Sequence, residues 1–311
     1  MLLRDLSILC LAVAAAVTCD RTSAAATGPG GGGGKVLLDE TFEDEAFRDR
    51  GWYDNTALTT TTAQHVPGGA RALEARFPAG ATTPTWGGAA RHLFGETESV
   101  YLSYWVKYSD NWVGSGHPYH PHEFQLLTNE DLLYTGPSFT HLTAYVEHNY
   151  QNGGIPVLAM QDGANIDQAR VGQDLTTVTE QRGAAGCNGN TDGYPTDCYQ
   201  ASGVWVNGKV WKAAQPAFLP APGPGYKGAW HLVEAYFRLN GIENGTGVPN
   251  GIVRYWFDGR LVLEHTNVLL RTGAHPTMRF NQLLIAPYIG DGSPVDQTMW
   301  VDNLTLATAR P

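Results

Sequence analysis

Three histidines within six residues form the part of the sequence that most suggests chemistry. They are His117, His120 and His122, and Glu123 follows directly. Imidazoles and a carboxylate this close together could hold a transition metal, with Glu123 or Asp131 completing the site. The histidines could instead serve as a general base, or as a group that neutralises a substrate carboxylate. A third interpretation is a turn in which the imidazoles cap backbone groups.

Alternation in several segments predicts strands with one apolar face and one aromatic-polar face. Residues such as Val233, Phe237 and Val253 belong to the apolar set, which predicts a core. The opposite set is His141, Thr143, Tyr145 and Glu147 in segment 138–148, Trp230, Leu232, Glu234, Tyr236, Arg238 and Asn240 in 230–240, and Arg254 and Trp256 in 251–257. Aromatic rings beside planar polar groups favour a surface that binds sugars, although rings packed beneath loops would give the same pattern.

The elements that must position these residues are strands, because helical periodicity is nearly absent. Asp258-Gly259 predicts a two-residue hairpin. The predicted fold is all-β, an antiparallel β-sandwich of the jelly-roll kind, with a long irregular insertion from about residue 162 to 228. The predicted strands are Val36–Phe42, Ala72–Phe77, Ser99–Tyr108, His122–Thr128, Ser138–His148, Pro156–Gln161, Val204–Lys212, Trp230–Asn240, Gly251–Phe257, Arg260–His265, Arg279–Tyr288 and Thr298–Ala307.

The first residues predict export. Residues 1–18 combine Arg4 with an apolar run too short to span a bilayer, which is typical of a signal peptide, with cleavage as late as residue 26. Alternatively, Cys19 is the lipidated first residue of a bacterial lipoprotein. The Gly-rich segment 19–34 is a flexible linker, and residues 35–311 form one domain. The protein would then be secreted, or lipid-anchored at the bacterial surface or periplasm, without a transmembrane helix.

Two further features narrow the class of protein. Cys187 and Cys198 lie in a polar loop of an exported chain, which favours a disulfide worth about 3 kcal/mol. The net charge is −10 and no Lys/Arg cluster exists, which argues against nucleic acid as a partner.

Four segments resemble the concanavalin-A-like jelly rolls of alginate and glucuronan lyases. The segments are 101–112 (YLSYWVKYSDNW), 228–240 (GAWHLVEAYFRLN), 254–259 (RYWFDG) and 299–306 (MWVDNLTL). They span most of the domain in order. The resemblance implies a polysaccharide partner, specifically an acidic glycan, and cleavage by β-elimination.

The same resemblance implies roles for particular residues. Elimination needs a group that neutralises the uronate carboxylate, a base for the C5 proton and an acid for the leaving oxygen. Arg238, Gln125 or His141 would neutralise the carboxylate, His122 or Tyr145 would be the base, and Tyr236 the acid. The residues expected to bind substrate are His120, Glu123, Gln125, Glu234, Arg254 and Trp256.

Related sandwiches also imply a structural calcium site. Asp39 on the first strand and Asp302 on the last would be neighbours if those strands pair, and oxygen ligands suit Ca²⁺. Solvated acids near strand ends are the alternative. No cofactor is required for the elimination itself.

Other functions remain open at this stage. A glycoside hydrolase would need two suitably spaced carboxylates, and only Glu123 with Glu234 is conceivable. A non-catalytic glycan-binding module would use the same aromatic-polar face without an acid or base. A histidine-metal enzyme would use the cluster at His117–His122.

Overall fold

Antiparallel strands make up nearly all regular structure in the computed structural model. It describes residues 33–116, 121–128, 142–149, 154–162, 200–201, 204–205, 209–273 and 275–311. A 3₁₀ turn spans Phe47–Arg50. The strands are β1 Val36–Glu40, β2 Trp52–Asp54, β3 Thr60–Thr61, β4 Ala72–Phe77, β5 Ala90–Thr97, β6 Ser99–Tyr108, β7 Pro121–Leu127, β8 Leu142–Asn149, β9 Ile155–Asp162, β10 Gln200–Ala201, β11 Val204–Trp205, β12 Lys209–Lys212, β13 His231–Arg238, β14 Ile242–Glu243, β15 Thr246–Gly247, β16 Gly251–Phe257, β17 Arg260–Val268, β18 Phe280–Ile289 and β19 Gln297–Ala307.

Two large sheets are present in the described residues. The eight-stranded sheet has the order β17-β16-β13-β6-β19-β4-β3, with β1 paired to β19. The seven-stranded sheet has the order β12-β9-β8-β7-β18-β5-β2. Neighbours in both sheets are antiparallel, and residues 33–311 form one compact unit.

One hydrophobic core lies between the sheets. Tyr104 of β6 and Phe124 of β7 belong to different sheets, and their ring centroids are 4.2 Å apart. Val233 and Phe237 of β13 are fully buried in this core, as the alternation predicts. The outward residues of each sheet therefore form two separate surfaces, one on either side of the sandwich.

The hairpin between β16 and β17 confirms the turn prediction. Asp258 and Gly259 have φ values of 49° and 76°, the left-handed values that a two-residue turn of this kind requires. The Asp258 carboxylate also accepts a hydrogen bond from the backbone N–H of Leu232, so the turn is fixed to the neighbouring strand.

Some elements were not predicted, and some predictions fall outside the described residues. β2, β3, β5, β10, β14 and β15 were missed, and β5 carries a residue of the candidate site. Outside the described residues lie the predicted signal peptide and most of the linker, His117, His120 and His141, the cysteine pair Cys187 and Cys198, and much of the predicted insertion. Among the described residues, no helix has the length and apolar character needed to cross a membrane.

Candidate functional site

A row of side chains crosses the outer face of the seven-stranded sheet. Arg91 of β5 pairs with Leu284 of β18, which pairs with Gln125 of β7, which in turn pairs with Tyr145 of β8. Their neighbours along each strand, such as Ala90 and Phe124, face the core instead. We call this outer surface the site face. Three strand spacings separate Arg91 from Tyr145, about 14 Å.

Arg91 provides a cation at one end of the row. Its side chain is 1% exposed, and it forms a salt bridge with Asp54 of β2. The guanidinium also lies over the ring of Tyr53, 5.5 Å from the ring centroid. Arg91 is therefore buried and held in position from two sides, with its charge paired to Asp54.

Polar groups on the site face lack partners within the described residues. The Gln125 carboxamide is partly exposed and makes no hydrogen bond to any of them. The Thr143 hydroxyl, on the same face of β8, is buried and has no partner there either. A buried hydroxyl without a hydrogen bond costs about 1–3 kcal/mol. Such groups suit the recognition of hydroxyl-rich or carboxylate ligands.

Tyr145 lies at the other end of the row. It is 5% exposed and packs against Val157 and Ala159 of β9 in a small apolar cluster separate from the main core. Directly opposed residues in antiparallel strands have Cα atoms about 4.5–5.5 Å apart, so the phenol and the Gln125 carboxamide are neighbours. Glu147 follows on the same face of β8 and is also buried.

His122 lies close to this row along β7. The register sets it opposite Tyr288 of β18. Of the residues predicted for chemistry, His122, Gln125 and Tyr145 thus fall on adjoining strands of the seven-stranded sheet.

The outer face of the eight-stranded sheet carries the other predicted residues. Glu234 of β13 is 2% exposed, and both of its carboxylate oxygens accept hydrogen bonds from Arg310, at 2.7 and 3.0 Å. Tyr101 of β6 donates to the same carboxylate at 2.7 Å. Arg310 also lies over the ring of Trp256, 4.9 Å from its centroid. We call this surface, with Arg310 across it, the clasped face.

The electrostatics of the clasped face follow from these contacts. Burial, together with the Glu234 carboxylate, raises the pKa of Tyr101 to about 12. The hydrogen bonds to Glu234 raise the pKa of Arg310 above its ordinary value, so the guanidinium stays charged. Both shifts keep the cluster in the protonation state in which all its hydrogen bonds form.

The remaining predicted polar groups of this sheet also have protein partners. Arg254 of β16 pairs with Glu264 of β17 at 2.6 Å, and Arg238 donates to the backbone carbonyl of Asn250 at 3.0 Å. Tyr236 is two residues before Arg238 on β13 and lies directly opposite Arg254 of β16.

The residues that were given roles in one elimination reaction do not lie on one sheet. Tyr236 and Arg238 belong to the eight-stranded sheet, whereas His122 and Tyr145 belong to the seven-stranded sheet. Tyr236 and Arg238 point away from the shared core, so the sandwich separates them from the site face. The alternation predicted their outward orientation, but it carries no information about which sheet a strand joins.

Glu123 is also not a surface ligand. It is 1% exposed, accepts a hydrogen bond from Tyr108, and lies 2.6 Å from the Nδ1 atom of His148. Because Glu123 is buried and Glu234 belongs to the opposite sheet, the carboxylate pair needed for a glycoside hydrolase is not formed by these residues.

The predicted calcium ligands are not brought together. β1 and β19 do pair, but the register sets Asp39 opposite Thr305, to which it is hydrogen-bonded. Asp302 is fully buried and accepts from the backbone N–H groups of Val66 and Asn303, and burial raises its pKa. Within the described residues, no group of three or more His, Cys, Asp or Glu side chains could hold a metal ion.

Sequence reasoning missed Arg91, and it did not single out Thr143 for the site. Arg91 lies in Ala90–Thr97, where two Gly residues precede the strand and Gly95 interrupts it. The alternation of Ala90, His92 and Phe94 was the available signal. Thr143 was placed on the correct face, but its missing partner is visible only in three dimensions.

Comparison with known proteins bears on the fold. No protein-family model matches the sequence, and no curated protein matches it. The chain is similar to the structure of a mutant alginate lyase in complex with alginate trisaccharide, with 12% identity, a TM-score of 0.52, and coverage of 89% of this chain and 99% of that chain.

Two further solved structures agree. An alginate lyase from Chlorella virus has 10% identity and a TM-score of 0.55, covering 88% of this chain and 100% of that chain. The marine alginate lyase from Aplysia kurodai has 12% identity and a TM-score of 0.54, with coverage of 88% and 100%. At these identities the likeness establishes the fold, and it confirms the predicted jelly roll.

Proposed function

We propose that the protein is an exported polysaccharide lyase that cleaves an acidic, uronate-containing glycan on the site face. The observation that carries this proposal is the row of Arg91, Gln125 and Tyr145, in which a carboxamide without a hydrogen-bond partner among the described residues lies opposite a phenol. Export would leave the protein secreted, or anchored through a lipid on Cys19. The fold shared with alginate lyases supports the proposal.

The three groups match the requirements of β-elimination. Gln125, with Arg91, would bind the uronate carboxylate and stabilise the negative charge that develops when C5 loses its proton. Tyr145 would transfer protons at C5 and at the leaving O4 oxygen. The C4–O4 bond breaks, a C4=C5 double bond forms, and O4 leaves as a hydroxyl. Neither water nor a redox partner is consumed.

Local charge makes the site face suitable for a polyanion. The chain carries a net charge of −10, which would repel such a substrate at long range. Arg91 provides a permanent cation on the site face, and Asp54 holds it in place. On the clasped face, the charges of Glu234 and Arg254 are also paired within the protein.

The test is turnover of a panel of polyuronates, including alginate and glucuronan, followed by the absorbance of the unsaturated uronate product. We expect absorbance to rise with at least one polymer. Tyr145→Phe should lower kcat about 10²–10⁴-fold, the usual contribution of a general acid or base. Tyr236→Phe removes the same hydroxyl from the opposite sheet and is the matched control, expected to stay within about twofold of the parent.

Two results would overturn the proposal. One is the absence of product with every polyuronate tested. The other is loss of activity in Tyr236→Phe while Tyr145→Phe remains active, which would move the chemistry to the clasped face.

A non-catalytic glycan-binding module is the second candidate. The observation that favours it is that Gln125 and Thr143, which have no hydrogen-bond partner in the described part of the chain, can bind hydroxyls or carboxylates but are not acids or bases. This candidate predicts that oligouronates bind without product, and that Gln125→Ala, but not Tyr145→Phe, abolishes binding. Isothermal titration calorimetry alongside the absorbance assay separates the two functions.

A further inference from the structure

A chain of buried polar side chains crosses the core between the two sheets. Tyr108 of β6 and Tyr255 of β16 come from the eight-stranded sheet, whereas Glu123 of β7 and His148 of β8 come from the seven-stranded sheet. All four are between 0% and 1% exposed. The mechanism proposed above uses none of them, and a buried carboxylate with a buried imidazole is costly to maintain without a role.

The contacts join the four side chains in sequence, and one of them has a fixed direction. Tyr108 donates to Glu123 Oε1 at 2.7 Å. The Nδ1 atom of His148 contacts the Tyr108 hydroxyl, and its Nε2 atom contacts the Tyr255 hydroxyl. Nδ1 also lies 2.6 Å from Glu123 Oε2, an atom that has no hydrogen-bond partner among the described residues.

One arrangement of protons gives each of the three hydrogen-bonded contacts a donor and an acceptor, with Glu123 Oε2 left without a hydrogen bond. Tyr255 donates to His148 Nε2, His148 Nδ1–H donates to Tyr108, and Tyr108 donates to the Glu123 carboxylate. The imidazole is then the Nδ1–H tautomer, held by partners at both ring nitrogens. Burial, with the nearby Glu123 and Asp258 carboxylates, raises the pKa of Tyr255 well above its ordinary value, so Tyr255 keeps the proton that it donates.

The surroundings hold the imidazole firmly. Phe218 packs on the His148 ring with centroids 4.3 Å apart, and Phe218 also contacts Phe257 at 4.8 Å. Tyr104 is the neighbouring phenol on β6 and is fully buried, yet its hydroxyl has no hydrogen-bond partner among the described residues. Asp258 acts on Tyr255 from the hairpin and is itself paired with His231 at 2.8 Å.

The chain connects the strands of the site face to the opposite sheet. Glu123 precedes Gln125 by two residues on β7, and His148 follows Tyr145 by three residues on β8. We propose that Glu123, His148, Tyr108 and Tyr255 form a positioning network that fixes β7 and β8 so that Gln125 and Tyr145 face each other in a productive geometry. This inference rests on the proposed lyase function. Its members are positioning residues, since their polar atoms contact one another in the core.

The test compares two Tyr→Phe variants in the full chain. Tyr255→Phe removes one hydroxyl from the network, whereas Tyr104→Phe removes an equally buried hydroxyl that is outside it. We expect Tyr255→Phe to lower kcat about 5–50-fold with KM within about twofold, because misplacement of reacting groups by less than 1 Å is expensive. Tyr104→Phe should leave both constants unchanged and should unfold at an equal or higher urea concentration.

Nuclear magnetic resonance supplies a readout that does not depend on turnover. With ¹⁵N-histidine labelling, His148 should show the Nδ1–H tautomer in the parent protein. With ¹⁵N labelling of glutamine and tyrosine, the amide signals of Gln125 and Tyr145 should move in Tyr255→Phe and remain in place in Tyr104→Phe.

These outcomes separate the two proposals. If the parent protein turns over none of the polyuronates but the expected amide shifts appear, the lyase function is overturned. The positioning of β7 and β8 by the network is then retained. An Nε2–H tautomer of His148, or amide signals that respond equally to both variants, would overturn the network. A Tyr255→Phe variant that loses only stability, with kcat unchanged in the folded fraction, would reduce the network to a structural role.

Discussion

The two outer faces of the sandwich carry similar polar residues, but these differ in whether the protein supplies their hydrogen-bond partners. On the clasped face, Glu234 is bonded by Arg310 and Tyr101, and Arg254 is paired with Glu264. On the site face, Gln125 and Thr143 have no hydrogen-bond partner within the described residues. Polar groups already satisfied by the protein stabilise the fold, whereas unsatisfied ones are available to a ligand. The contrast therefore distinguishes a structural surface from a functional one more clearly than composition does.

The largest effect among these comparisons should come from replacing one arginine on each face with alanine. Arg91→Ala removes the cation of the site face and should lower kcat/KM about 10²–10³-fold, as loss of one charge-stabilising group does in other enzymes. Arg238→Ala removes an exposed cation from the clasped side and should change kcat/KM by less than about twofold. Initial rates on the best polyuronate measure both, and similar rates for the two variants would contradict the distinction.

On the clasped face, a substitution should lower stability and leave activity unchanged. Arg310→Ala leaves the Glu234 carboxylate, whose side chain is 3% exposed, without its main cation. Removing one partner of a buried pair costs about 3–5 kcal/mol, but Arg310 is 43% exposed, so we expect about 1–3 kcal/mol. Urea unfolding measures the loss, and kcat of the folded protein should stay at the parent value. A fall in kcat would show that the clasped face takes part in the reaction.

Thr143→Val should shift stability and function in opposite directions. The change removes a buried hydroxyl without a partner and keeps the shape, so the free energy of unfolding should rise by about 1 kcal/mol. If the hydroxyl binds substrate, KM should rise about 3–10-fold, since one lost hydrogen bond is worth about 1 kcal/mol. Unchanged KM with the gain in stability would remove Thr143 from the site.

The last effect concerns alkaline pH. The pKa of Tyr101 is raised to about 12, above the ordinary value of about 10. Between these values the folded state binds more protons at this residue than the unfolded state does, so its contribution is complete below pH 10 and is lost as the pH rises towards 12. Urea unfolding across pH 9–11.5 should show this slope in the parent and a weaker slope in Tyr101→Phe. Equal slopes would contradict the shift.

Local patterns predicted the strands better than their partners. The alternation of Val233 and Phe237 and the Asp258-Gly259 turn depend on neighbouring residues, and the structure confirms both. Tyr145 and Tyr236 each lie on a correctly predicted aromatic-polar face. Which sheet each strand joins depends on pairing between segments far apart in the sequence, which alternation does not encode. The sequence therefore predicted only part of the candidate site. Arg91 was missed because glycines in and before β5 hid the strand pattern.

The buried network also bears on how β8 finds its register. Tyr145 and His148 lie on opposite faces of this strand, one directed outward and the other into the core. A slip of one residue would exchange the two faces, leaving the carboxylate of Glu123 in the core without its imidazole. The network therefore favours the correct register of β8, because the alignment that forms the site also places the His148 imidazole beside the buried Glu123 carboxylate.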